Sequence, residues 1–228
     1  SGIGAALVEA FVGQESQVAF LDIQEKASLE LVRKLTTVNQ EPLFVKCDLT
    51  DIEALKEAVS EVENKLGAVR VLINNAANDE RHEPEDVTPD YWEQRLRLNF
   101  SHHFFAAQAV KPAMAKSGGG SIINMGSCSW HMALEFMPGY TSSKAAIEGL
   151  TQSLARAYGK EHIRVNCIIP GQVWTPRQIR DHLTPEYEQF MNDKQCLPGK
   201  ILPEDIAQLA LFLASDAGRM CTRRNYFM

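Results

Sequence analysis

The sequence predicts an α/β fold, a single domain built on a doubly wound parallel sheet, and three observations carry that expectation. Strand-like apolar segments near 17–22, 42–47, 69–73, 120–125 and 163–169 alternate with segments of helical apolar spacing, the order of parallel strands joined by crossover helices. The strands are mostly continuous in apolar character, as in a sheet covered on both faces. Small or polar residues recur just after them, where an open parallel sheet binds its ligands. A chain of 228 residues can bury one substantial core, and no repeat, linker or low-complexity stretch divides it, so residues 1–228 are read as one domain. Gly118-Gly119-Gly120 reads as a helix stop before a strand.

The chain opens with Ser1-Gly2-Ile3-Gly4 running directly into a helical pattern, Ala5 to Phe11. Glycines at a helix start let the backbone approach a ligand, and the exposed N–H groups with the helix dipole attract phosphate. The next strand, Gln17 to Asp22, ends in a carboxylate 18 residues after Gly4, about the separation at which a dinucleotide fold sets an acid against the adenosine ribose. Asp22 would repel a 2′-phosphate, which favours NAD over NADP; its alternative role is an N-cap for the following helix. The strand at 42–47 is followed by Asp48-Leu49, where a carboxylate could meet the adenine amino group. The strand at 69–73 is followed by Asn74-Asn75-Ala76-Ala77, small enough for a cofactor to lie against the backbone. The strand at 163–169 ends in Pro170-Gly171, with Thr175 shortly after.

Between the last two strands stand Ser127, Tyr140 and Lys144. Tyr140 and Lys144 are four residues apart at the start of a helical pattern and so share one face. A tyrosine with its ordinary pKa near ~10 becomes a base at neutral pH only where positive charge stabilises the phenolate. Lys144 is placed to supply that charge.

These residues together resemble the classical short-chain dehydrogenase/reductase family, over nearly the whole chain. The matching pieces are Ser-Gly-Ile-Gly at 1–4, Asp22, Asp48, Asn-Asn-Ala-Ala at 74–77, Asn99, Ser127, Tyr140 with Lys144, and Pro170-Gly171. The resemblance implies a Rossmann-type sheet and an NAD-dependent alcohol oxidoreductase. Tyr140 would accept the substrate proton, and Ser127, thirteen residues before it, would hydrogen-bond the reacting oxygen. Lys144 would bind the nicotinamide ribose and lower the tyrosine pKa, and Asn99 would hold a water in the proton relay. Ser1 to Gly4, Asp22, Ile23, Asp48, Leu49, Asn75 to Ala77, Pro170, Gly171, Val173 and Thr175 would join Tyr140 and Lys144 around the cofactor.

At finer grain, Asn78 to His82 and Ser129-Trp130-His131, with Cys196-Leu197, resemble the bacterial aldose 1-dehydrogenases of the family. These oxidise the anomeric hydroxyl of a pyranose to a lactone. Asn78, Asp79, Trp130, His131 and Gln172 would then contact a sugar beside Ser127 and Tyr140, the indole serving as an apolar platform. Residues 172–200, with Trp174 and three prolines, resemble a mobile lid over the substrate. Other readings are a reductase of a 3-oxoacyl thioester or steroid-like ketone, and an inactive scaffold.

Two long helical patterns, near 89–116 and 139–160, carry surplus apolar residues, among them Leu96, Leu98, Phe100, Phe104, Phe105, Ile147, Leu150 and Leu154. The family assembles through these helices, which implies a homotetramer, although burial within one chain accounts for most of these residues. The family also has a strand and a Thr-Gly turn before its glycine motif, and an acid-and-glycine turn after its last strand. Neither stands in this sequence, so a longer protein is expected, and an open ladder where the missing strand would lie in the middle of the sheet.

Composition narrows the partners. The net charge of −6, from 23 basic and 29 acidic residues with no long basic run, argues against nucleic acid. No apolar stretch approaches the ~18–20 residues that span a bilayer. The five cysteines, Cys47, Cys128, Cys167, Cys196 and Cys221, lack metal spacing and read as reduced cytoplasmic thiols. The six histidines form no metal box, and no catalytic metal is expected.

Overall fold

Each helix begins and ends where its local chemistry dictates. The computed structural model describes residues 2–36, 41–182 and 184–228. Helix α1 (Ile3–Gly13) leads into strand β1 (Ala19–Asp22), then α2 (Glu25–Leu35) and β2 (Leu43–Lys46). Helix α3 (Ile52–Leu66) starts where the Asp51 carboxylate accepts the Glu53 and Ala54 N–H groups at 3.0 and 3.1 Å. It stops at Gly67, at φ 85°. Its buried residues Leu55, Ala58, Val59 and Val62 recur at helical spacing and meet the main core.

Strand β3 (Val71–Asn74) follows, then helix α4 (Pro89–Leu96), capped by the Thr88 hydroxyl on the Tyr91 N–H. The single helix expected over 89–116 is interrupted: a π-helical turn, Arg97–Ser101, separates α4 from α5 (His102–Lys116). A π turn inserts an extra residue and resets the facing of what surrounds it, and such turns recur at functional sites. Here it buries Asn99 completely. Strand β4 (Gly120–Met125), helix α6 (Pro138–Tyr158) and strand β5 (Ile163–Ile169) come next, close to expectation. Helices α7 (Pro176–His182), α8 (Pro185–Lys194) and α9 (Pro203–Ala214) precede a short strand β6 (Asn225–Phe227).

All strand pairings are parallel. The ladder is in two pieces, β1-β2 and β3-β4-β5-β6. The open ladder expected from the sequence is thus present. The facing edges of β1 and β3 both border one cavity, and their apolar residues are only partly buried, whereas Ile122, Ile123, Val165 and Ile168 in β4 and β5 are fully buried.

A string of polar side chains crosses the interior between β3, β4, α5 and α6. The Asn74 amide donates to Asn124 Oδ1 at 2.9 Å, and the Asn124 amide donates to the Thr151 hydroxyl at 3.0 Å. His103 Nδ1 lies 3.2 Å from Asn124 Oδ1. Buried amides are tolerated here because they satisfy one another. Most of the surplus apolar residues of the two long helices are used inside the chain. Ile147 and Leu154 are buried, Phe100 packs against Ile147 and its neighbours, and Phe104, Phe105 and Leu150 cover the main core. Among the described residues, no helix is long and apolar enough to cross a membrane.

Gly119 shows how tightly the turn into β4 is built. It sits at φ 103°, and a Cβ there would lie 2.3 Å from the His162 carbonyl oxygen. Gly119→Ala is expected to cost at least about 2 kcal/mol through strain and backbone displacement. Urea unfolding would measure it; a loss under about 0.5 kcal/mol would contradict this geometry.

Candidate active site

The phosphate end is made by the start of α1. Gly2 adopts φ 65° and no side chain caps the helix, so the N–H groups of its first turn are open to a ligand. A Cβ on Gly2 would come within 3.2 Å of the Thr175 side chain, and one on Gly4 within 3.0 Å of Asn75 Nδ2. This backbone therefore fits a cradle for an anion, held close to two residues of the opposite wall. Ser1 lies outside the described residues. At the end of β1, Asp22 Oδ1 accepts the Gln24 N–H at 2.8 Å, which orients the carboxylate at the rim. Asp48 is held likewise by the Thr50 N–H and hydroxyl at 2.9 and 2.7 Å.

A cavity of about 1600 Å³ joins these positions. It brings together Gly2 to Gly4, Asp22, Ile23, Asp48, Leu49 and Asn75 to Ala77, with Pro170, Gly171, Val173 and Thr175 on the far side. The volume exceeds the ~300–1000 Å³ usual for one ligand because the same space extends between the facing edges of β1 and β3.

Ser127, Tyr140 and Lys144 also line this cavity. Ser127 follows β4 by two residues, and Tyr140 lies in the first turn of α6, close enough for the Ser127 hydroxyl to favour its phenolate. Lys144, one turn further, donates to the Met125 carbonyl at 2.8 Å, and its ammonium stands 5.4 Å from the centre of the Tyr140 ring. Burial pushes the Lys144 pKa down to about 8. The Tyr140 phenol is raised, chiefly by burial, with Cys128 also raising it and the Ser127 hydrogen bond and Arg81 pulling it back. In this arrangement desolvation outweighs the groups that favour the phenolate.

Asn99 is completely buried and stands outside the cavity wall. Its Oδ1 accepts the Asn78 N–H at 2.7 Å, while its Nδ2 is buried without a hydrogen-bond partner.

The predicted substrate contacts divide. Asn78, Asp79 and Gln172 line the cavity. Asp79 is engaged by α7: Arg177 pairs with one carboxylate oxygen and the Gln178 amide donates to the other at 3.0 Å. Gln172 accepts the Tyr187 hydroxyl at 3.1 Å. Trp130 and His131 do not line the cavity, contrary to expectation. The indole N–H donates to Glu148 Oε1 at 2.7 Å, and His131 Nε2 lies 2.9 Å from the same oxygen. A buried carboxylate on α6 draws both rings away from the substrate side.

The remaining wall was not legible in the sequence: Met132, Leu134 and Met137 from the loop before α6, and Tyr187, Phe190 and Met191 from α8. These positions show no motif; the helical spacing of Tyr187, Phe190 and Met191 was the one available signal. His102 also lines the cavity, with both ring nitrogens buried and unpartnered, and burial with the nearby Lys144 charge pushes its pKa down to about 4. The Cys128 thiol is raised by burial, which favours an inert side chain. Among the described residues no three His, Cys, Asp or Glu side chains gather as metal ligands.

The family model described as enoyl-(acyl carrier protein) reductase matches residues 1–228. The chain is 46% identical over 228 residues to the D-xylose 1-dehydrogenase of Caulobacter vibrioides, covering 100% of this chain and 90% of the relative. Two solved structures share the fold over 100% of this chain. One is a 7α-hydroxysteroid dehydrogenase complexed with NADH and 7-oxo glycochenodeoxycholic acid (TM-score 0.94, 30% identity, 89% of that chain). The other is the L-sorbose reductase of Gluconobacter frateurii complexed with NADPH and L-sorbose (TM-score 0.91, 27% identity, 91% of that chain).

The buried ammonium gives the site a pH signature. Since the Lys144 pKa falls from 10.5 to about 8 on folding, the unfolded chain holds the proton between those values while the native chain releases it. Stability from this group therefore rises with pH across that window. Relative to Lys144→Met, the parent should gain up to about 3 kcal/mol from pH 8 to 10.5 in chemical unfolding. Parallel stability profiles would refute the burial argument.

Proposed function

We propose a specific activity for a chain that belongs to the short-chain dehydrogenase/reductase family: it oxidises the anomeric hydroxyl of an aldose to the lactone, with NAD as the acceptor. One observation carries this reading. Ser127, Tyr140 and Lys144 converge on the same cavity that the uncapped start of α1 and the Asp22 carboxylate border. Both halves of a nicotinamide-linked oxidation thus have residues to serve them.

In this reading the substrate hydroxyl takes up the Ser127 and Tyr140 hydroxyl groups as partners, and its proton passes to Tyr140 Oη. NAD, when bound, supplies the hydride acceptor and a positive charge beside the phenol. Lys144 adds its own charge and holds the ribose, and together they offset the burial that raises the Tyr140 pKa here. The proton would leave by way of Lys144 and a water held by Asn99. Asp22 favours NAD by repelling a 2′-phosphate.

The sugar assignment is supported by the 46% identity to a D-xylose 1-dehydrogenase and by Asn78 and Gln172 in the cavity wall. A second reading, a steroid-like ketone or alcohol, is favoured by the apolar wall of Met132, Leu134, Met137 and Phe190 and by the likeness to the hydroxysteroid dehydrogenase. The proposal extends to a homotetramer assembled through α5 and α6, and to a cytoplasmic setting, supported by five free cysteines.

The test is NADH formation by the purified protein with NAD or NADP and a panel of aldoses and hydroxysteroids. Turnover of an aldose with NAD is expected; turnover of the steroids alone would transfer the assignment to the second reading. Tyr140→Phe should reduce turnover at least about a hundredfold while NAD still raises the melting temperature. Undiminished turnover in that variant would overturn the role given to Tyr140.

A further inference from the structure

We infer that Glu148 is a positioning residue that holds the Ser127 loop against the catalytic helix. The inference rests on the roles proposed for Ser127 and Tyr140 and deepens them. Tyr140, Lys144 and Glu148 follow one another at four-residue intervals on α6 and share a face of the helix. Glu148 is nevertheless outside the cavity wall, so it acts through other residues.

Glu148 is 9% exposed, and three donors converge on its carboxylate. Trp130 Nε1 and His131 Nε2 meet Oε1 at 2.7 and 2.9 Å, and the Asn225 amide meets Oε2 at 2.5 Å. Because an ionised carboxylate only accepts, His131 presents its Nε2–H tautomer there. Two of the three donors belong to the loop that carries Ser127, three and four residues after it.

The loop is also attached at the end of β5, where the Gly126 N–H donates to the Ile168 carbonyl at 2.8 Å and the Cys128 N–H to the Pro170 carbonyl at 3.1 Å, and further on its Phe136 carbonyl accepts the His82 N–H at 2.7 Å. Ser127 is therefore suspended between the sheet on one side and, through Glu148, α6 on the other. The Trp130 and His131 rings stack with centroids 3.7 Å apart, and Phe227 of β6 meets His131 edge-on at 4.8 Å. This second layer makes the brace stiff. A glutamine at 148 would keep an oxygen for both Trp130 and His131, and a turned Asn225 amide would accept from its NH₂ group through the otherwise unpartnered Oδ1, so an apolar side chain is needed to remove the brace.

The test compares Glu148→Met and Trp130→Phe with the parent. Three readouts are taken: kcat, the KM for NAD, and the phenol titration assigned to Tyr140 by its absence in Tyr140→Phe. A displaced Ser127 should lower kcat about tenfold in Glu148→Met, which offers Trp130 and His131 no carboxylate oxygen. The KM for NAD should stay within about twofold, because Ser127 does not hold the cofactor. The Tyr140 titration should move further up, since the Ser127 hydrogen bond lowers it. Cys128, Arg81 and Lys144, the charged or titratable groups facing the phenol, are unchanged in both variants.

If Glu148→Met fails to fold, Trp130→Phe, which keeps a ring and loses the N–H, reads the same brace with a smaller effect. A lowered melting temperature with unaltered kcat and unaltered titration would reduce Glu148 to a structural carboxylate and overturn the inference. Should the parent turn over no substrate, the proposed function fails, while the titration, which needs no substrate, still decides the positioning role.

Discussion

The ammonium of Lys144, 2% exposed, donates to the Met125 carbonyl at 2.8 Å, and the geometry of the site depends on that bond between helix and sheet. Burying a cation is costly unless it finds acceptors, and the pKa of about 8 records that cost. Met125 ends β4, and Ser127 lies two residues beyond it. Tyr140 stands one turn before Lys144 on the same face of α6. Fixing Lys144 to the end of β4 therefore brings the hydroxyl, the phenol and the amine to one place, with the β4-β5 ladder as their support.

Electrostatics then divides the cavity into two ends. The start of α1 presents unpaired N–H groups and no capping side chain, an environment for anions, with carboxylates at the rim in Asp22 and Asp48. At the other end the Tyr140 phenol is buried and its pKa raised, so proton transfer there requires positive charge to be brought against it.

Many polar side chains close to the reacting groups are committed to the frame. Asp79 joins the loop after β3 to α7, Asn99 holds the Asn78 N–H, and Glu148 gathers the loop after β4. The wall facing a substrate is correspondingly more apolar than a sugar alone would require. Rigid polar support behind a partly apolar surface leaves few groups free to select a substrate, and those few decide specificity.

The sequence by itself determined the strands and helices, because the period of their apolar residues is a local property, and it placed Tyr140 and Lys144 on one face, because four residues make about one helical turn. It also placed glycines at the start of α1, where no side chain caps the helix. The tertiary structure alone decided the π turn that buries Asn99, the direction in which the Tyr140 pKa moves, and the partners of the polar side chains. Trp130 and Glu148 are 18 residues apart, and Asp79 and Gln178 are 99 apart. A carboxylate or an indole N–H pairs with whichever group the fold brings within about 3 Å, and spacing along the chain does not carry that choice.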